Sequence, residues 1–207
     1  MIMPEPFIIY SLPRSRTAWL AAFLTYREWT CHHEQAIHMR SMDDVRQFFA
    51  TPHTGTVETG AAQGWWIIHH YVPNIRAVVI HRPVDDVVKS MLAVDTGGVA
   101  SYDANKLRAI MQYGNRMLAQ ISRVPGVLNV DFNDISTKES CATIFEHCLP
   151  YKFDTQHWLD MKDRNIQVDM KAFLLSYFAN RDKVENFKRL CRAELRVIYP
   201  AALKMRG

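Results

Sequence analysis

Residues Phe7 to Leu24, FIIYSLPRSRTAWLAAFL, constrain the fold of this chain more than any other stretch. Phe7, Ile8 and Ile9 are a short apolar run without polar alternation, which reads as a buried strand. A tight polar turn follows, Ser11-Leu12-Pro13-Arg14-Ser15-Arg16-Thr17, and then Trp19, Leu20, Phe23 and Leu24 recur as one side of a helix. Small Ala18, Ala21 and Ala22 let that helix approach a sheet closely. The turn therefore gathers two guanidiniums, hydroxyls and the unsatisfied N–H groups of a helix N-terminus. The helix dipole favours negative charge at that end, and arginine recognises phosphate or sulfate oxygens in a planar, bidentate way. The ligand expected at this turn is a phosphate.

The rest of the chain alternates in the same sense. A second strand is expected over Trp29 to Glu34, with His33 and Glu34 near its C-terminal end. Ser41 is placed to cap a short helix that buries Met42, Val45, Phe48 and Phe49. From Thr51 to Gly64, TPHTGTVETGAAQG, periodicity disappears, and the stretch reads as a connecting loop or a lid. Gly64 to His70, GWWIIHH, reads as a strand ending in two histidines.

A second informative stretch runs from Ile75 to Leu92, IRAVVIHRPVDDVVKSML. Ala77 to Ile80 has the apolar continuity of a central parallel strand. Arg82 leaves it, Pro83 sits where a helix opens, and Asp85 and Asp86 fall where the dipole favours them. Ser90 follows Arg82 by eight residues, on the helix. A longer helix is predicted over Asp103 to Ser122, with Leu107, Ile110, Met111, Met117, Leu118 and Ile121 inward. A strand over Val127 to Phe132 comes next, then a helix opened by the capping-box pattern Ser136 to Glu139. From Tyr151 onward the chain reads as helix-rich, including Met170 to Phe178 and Val184 to Ile198.

This alternation predicts an α/β fold, a mostly parallel sheet between two layers of helices, in one domain over residues 1–207. Its core spans about 5–149 and its helical C-terminal part about 151–207. Ligands of such sheets bind beyond the C-terminal strand ends, where this reading puts Arg14, His33, Glu34, His69, His70 and Arg82. Trp65, Trp66 and Trp158 read first as core.

Composition narrows the classes of partner. A formal charge of +4 suits a small polyanion and is too mild to argue for nucleic acid, so none is expected. No apolar run approaches the ~20 residues of a bilayer span, and the opening residues MIMPEPFIIY lack the features of a leader, so no membrane association is expected. The four cysteines form no CxxC pair, which points to reduced thiols and a cytoplasmic protein. In Cys31-His32-His33, neighbouring strand residues point to opposite faces and no second ligand pair has suitable spacing, so no metal is expected.

On these residues the chain resembles the sulfotransferases that use 3′-phosphoadenosine 5′-phosphosulfate (PAPS) as sulfuryl donor. Ser11-Leu12-Pro13-Arg14-Ser15-Arg16-Thr17-Ala18-Trp19-Leu20 is similar to that family's 5′-phosphosulfate loop, written near YPKSGTTWL, with Arg14 on the loop lysine and Thr17 on its first threonine. Arg82 and Ser90 match the pair that holds the 3′-phosphate, and Val130-Asp131-Phe132-Asn133-Asp134-Ile135 is similar to the strand end written RYEDL. The resemblance implies a P-loop NTPase-like sulfotransferase fold and a transferase whose nucleotide product is 3′-phosphoadenosine 5′-phosphate (PAP). It implies a donor site from Pro13, Arg14, Ser15, Arg16, Thr17, Ala18, Trp19, Arg82 and Ser90, with Arg14 also stabilising the departing phosphate.

A base must take the proton of the acceptor hydroxyl or amine. The candidates are His33, Glu34, His69 and His70, with Glu34 and His70 foremost. The acceptor expected is a small molecule. Arg16 in place of the loop glycine and Ala18 in place of the second threonine depart from the family pattern, and Lys204, Arg206 and Gly207 echo its C-terminal Arg-Lys-Gly clamp only loosely. The competing expectations are a P-loop small-molecule kinase, against which the missing G-x-x-x-x-G-K-[ST] counts, and a non-catalytic PAP-binding protein.

Overall fold

Phe7, Ile8, Ile9, Tyr10 and Ser11 are all buried because their strand lies at the centre of a five-stranded sheet. The computed structural model describes residues 5–94, 102–179 and 181–198. In chain order the elements are β1 (Phe7–Ser11), α1 (Thr17–Leu24), β2 (Thr30–His33), α2 (Met42–Ala50), β3 (Thr54–Glu58), α3 (Trp65–Tyr71), β4 (Arg76–His81), α4 (Val84–Leu92) and α5 (Ala104–Ile121). They continue with β5 (Leu128–Asp131), α6 (Lys138–Cys148), α7 (Thr155–Met161), α8 (Met170–Ala179) and α9 (Arg181–Ile198). Single 3-10 turns occupy Gln35–His38 and Ala61–Gly64.

The sheet runs β2-β3-β1-β4-β5 with every pair parallel. The alternation of side chains along β1 divides the core in two. Phe7 and Ile9 pack with Val57, Val78, Ile80 and Val130 under α1, α6 and α7. Ile8 and Tyr10 pack with Ala77 and Val79 under α2, α3, α4 and α5. Helices therefore cover both faces, as a parallel sheet requires. Burying each large aliphatic side chain of β4 contributes roughly 1.5–3 kcal/mol, which makes this central strand a main anchor of the fold.

The α/β reading and the helices around Ser41, Pro83, Asp103 and Thr137 agree with the structure. Three expectations are corrected. Thr51 to Gly64 is no plain loop, because it contains β3 and a 3-10 turn. Gly64 to His70 is no strand, because Trp65–Tyr71 is helical and buries the consecutive residues Ile67 and Ile68, which strand alternation would separate. Ile110 is not inward: it lies 56% exposed on α5. Lys204, Arg206 and Gly207 lie outside the described residues. Among the described residues no helix is long and apolar enough to cross a membrane. All four cysteines are unbridged.

Candidate functional site

The loop after β1 turns toward the α1 face of the sheet, while the chain leaves its neighbours β3 and β4 toward the opposite face. Such a divergence opens a crevice beyond the C-terminal strand ends. The turn at residues 12–16 lines it. Arg14 (φ 62) and Arg16 (φ 58) both adopt the left-handed backbone region. Arg16 thus takes up, as an L residue, the conformation a glycine adopts freely, and its exposed side chain reaches out over the Trp19 ring at 5.7 Å.

The turn leaves the N-terminus of α1 open. Arg16 is its N-cap residue with no side-chain cap, and the first turn contains no acidic residue. The first intrahelical bond runs from Leu20 N to Arg16 O at 2.9 Å, so the N–H groups of Thr17, Ala18 and Trp19 precede the ladder. Ser15 is fully buried, and its Oγ has no hydrogen-bond partner among the described residues. The Trp19 indole points into the core, donating to Met161 O at 2.9 Å and stacking on Phe23.

The second informative stretch arrives at the same place. Arg82, just past β4, donates through its guanidinium to the carbonyl of Arg14. Arg14 Nε in turn donates to Ser90 Oγ on α4 at 3.3 Å. The third stretch closes the group: Phe132, just beyond β5, lies with its ring 4.0 Å from the Arg82 guanidinium carbon and donates its N–H to His81 O at 2.8 Å. Residues far apart in sequence thus meet around one turn. Burial and the Arg14 charge pull the Arg82 pKa down, while Asp86 opposes them, as expected of two like charges held together.

On the other flank stand the ends of β2 and β3. His33 Nε2 lies 2.9 Å from Thr17 Oγ1 and 3.9 Å from Glu34 Oε1. Burial lowers the His33 pKa, so the ring is neutral at pH 7. Glu34, at φ 58 and only 6% exposed, accepts from Thr59 N at 3.1 Å. Burial raises its pKa, and the bonds from Thr59 offset part of that.

Arg14, Ser15, Arg16, Thr17, Arg82, Ser90, His33 and Glu34 are therefore brought together. His69 and His70 are not. Both sit on α3, which leads back toward the start of β4. His70 is exposed there, and His69 lines a cavity of about 330 Å³ with Arg76 and His147 at the N-terminal edge of the sheet. The sequence reading missed Glu58, the last residue of β3, because it lay within the supposed loop. No protein-family model matches this chain, and no curated protein matches it either.

Proposed function

We propose that the protein is a PAPS-dependent sulfotransferase with a P-loop-like donor site, acting on the hydroxyl or amine of a small acceptor. One observation carries the reading: Arg14, Arg82, Ser90 and Phe132, drawn from the three stretches that resemble the family, converge on one helix N-terminus that the chain itself leaves uncapped. Two guanidiniums, the buried Ser15 hydroxyl and three helical N–H groups, these last four donors without a partner among the described residues, fit a ligand with several anionic oxygens. Bound there, PAPS supplies a sulfuryl group, whose bond to the 5′-phosphate breaks as a bond to the acceptor oxygen or nitrogen forms.

In this reading Arg14 and the N–H groups of Thr17, Ala18 and Trp19 hold the 5′-phosphosulfate and neutralise charge gathering on the departing phosphate oxygen. Arg82 and Ser90 take the 3′-phosphate, which distinguishes the donor from ATP. The base is Glu34, which accepts the acceptor proton while the neutral His33 ring and Thr17 close its side of the crevice. Each of these residues lies at a strand end, on a helix, or in the short turn that joins β1 to α1, all anchored by the packed core.

Calorimetric titration with PAP, Mg-ATP and adenosine 5′-phosphosulfate tests the reading. PAP is expected to bind without Mg²⁺ and more tightly than either control. A preference for Mg-ATP would point to a kinase, and no binding by any of the three would remove the donor site.

A further inference from the structure

Glu34, just past β2, and Glu58, the last residue of β3, stand at neighbouring strand ends, and each carboxylate is tied to the other's segment. Glu34 accepts from the N–H of Thr59, the residue after Glu58, at 3.1 Å. Glu58 Oε1 accepts from the N–H of Ala36, two residues after Glu34, at 3.0 Å. The Glu34 N–H itself donates to Val57 O at 2.9 Å, so the two strand ends are laced in both directions. Glu58 is 1% exposed, and its second oxygen, Oε2, has no partner among the described residues. Two ionised carboxylates buried side by side repel each other strongly, and among the described residues neither has a buried cation beside it to offset this.

We propose that Glu58 is a positioning residue for Glu34: the two buried carboxyls share one proton, it resides on Glu58, and the resulting neutral clasp holds Glu34 ionised and oriented at the crevice. The inference rests on the assignment of Glu34 as the base. Burial and the neighbouring Glu34 carboxylate favour a proton on Glu58, and they outweigh the hydrogen bonds that it accepts from Thr56, Ala36 and Gln35, which favour its ionised form. Thr56 Oγ1 donates to Glu58 Oε1 at 2.6 Å, and Tyr10, its register partner on β1, presents a fully buried phenol. The 35–38 turn contributes only backbone N–H groups from Gln35 and Ala36. Asp44 of α2 is committed to the N–H groups of Arg40 and Ser41, at 2.6 and 2.8 Å. His33 stands nearer Glu34 and is neutral. Burial first, and the Glu34 charge second, push the Glu58 pKa up to about 8, and burial with Glu58 pushes the Tyr10 phenol up as well.

The test follows side-chain carboxyl carbons by NMR in protein labelled with ¹³C-glutamate, from pH 4 to pH 10, in wild type, Glu58→Gln and Glu34→Gln. The wild type is expected to show one glutamate titrating near pH 8. That titration should vanish in Glu58→Gln, and in Glu34→Gln it should move down by about one unit or more once the neighbouring charge is gone. No wild-type glutamate titrating above the ordinary carboxylate range, or an alkaline titration that survives in Glu58→Gln, would overturn the proposal.

Thermal unfolding gives a second reading of the wild type. Between 4.5 and about 8 Glu58 is protonated when folded and ionised when unfolded, so stability should fall as pH rises through that window. Glu58→Gln should remove this slope, and a slope unchanged by the substitution would contradict the proposal. PAP titration of the same samples separates the two levels. Affinity within about twofold of wild type in Glu58→Gln is expected, because the clasp lies outside the arginine cluster. Loss of PAP binding by the wild type itself would sink the sulfotransferase reading and leave the carboxyl titration as the test of the clasp.

Discussion

The turns after β1 and β4 meet at one edge of the sheet and complete their helix N-termini in opposite ways. At α4, Pro83 occupies the N-cap and Asp85 and Asp86 supply negative charge in the first turn. That terminus is neutralised by its own sequence. At α1 the N-cap is an arginine in a left-handed conformation, a second left-handed arginine precedes it, and no acid follows in the first turn. Each left-handed arginine costs roughly 1–2 kcal/mol relative to an ordinary backbone. The second turn needs no ligand, whereas the first concentrates positive charge and spends conformational energy on doing so. Such strain clusters where binding requires it. Arg82 of the second turn reaches the first through the Arg14 carbonyl.

Substitutions can break this contrast. Arg14→Ala should have the largest effect, weakening PAP by roughly 100-fold in calorimetry, because a charge-assisted bond to an anion contributes about 1.5–3 kcal/mol. Its folding midpoint should scarcely move, since the side chain is half-buried and held by a single 3.3 Å bond to Ser90 among the described residues. Arg82→Ala should cost about tenfold for PAP and bring PAP and adenosine 5′-phosphosulfate to similar affinities, with the selectivity between them as the readout.

Smaller changes sharpen it. Arg16→Gly should stabilise the fold by about 0.5–1 kcal/mol in urea unfolding, since glycine adopts φ near 58 without strain, while PAP binding weakens only a few-fold. Asp85→Asn should remove a few tenths of a kcal/mol from stability and leave PAP affinity unchanged, because its carboxylate serves the first turn of α4 and an exposed ion pair with Arg108 of α5 at 3.1 Å. An Asp85→Asn effect on binding as large as that of Arg82→Ala would erase the distinction between the turns.

Much of this was legible in the sequence. The apolar runs of β1 and β4, the cap at Ser41 and the acids after Pro83 are local signals, and local signals place strand–turn–helix units well. The third strand was not legible. Thr54-Gly55-Thr56-Val57-Glu58 is polar, yet every residue is buried, because tertiary contacts supply what hydrophobicity does not. One oxygen of Glu58 accepts from Ala36 and Thr56, and Gly55 makes room for the Phe7 ring, since a Cβ there would stand 2.1 Å from Phe7 Cζ. Missing that strand hid the carboxyl partner of Glu34. The run GWWIIHH misled in the other direction: a short apolar segment suits a strand or a buried helix equally, and only its packing decides. Assigning it to a strand carried His69 and His70 to the wrong edge of the sheet. The meeting of Arg14, Arg82 and Phe132 follows from the strand order, which the local pattern leaves open.

The central claim is that one crevice reads two phosphates with two arginines from different turns. Phosphorus NMR of PAP tests it most directly, because the 5′- and 3′-phosphate signals are separate. Wild-type protein should shift both signals, Arg14→Ala should abolish mainly the 5′ shift, and Arg82→Ala mainly the 3′ shift. Phosphate signals that stay unmoved by the wild-type protein, or that respond identically to the two substitutions, would contradict it.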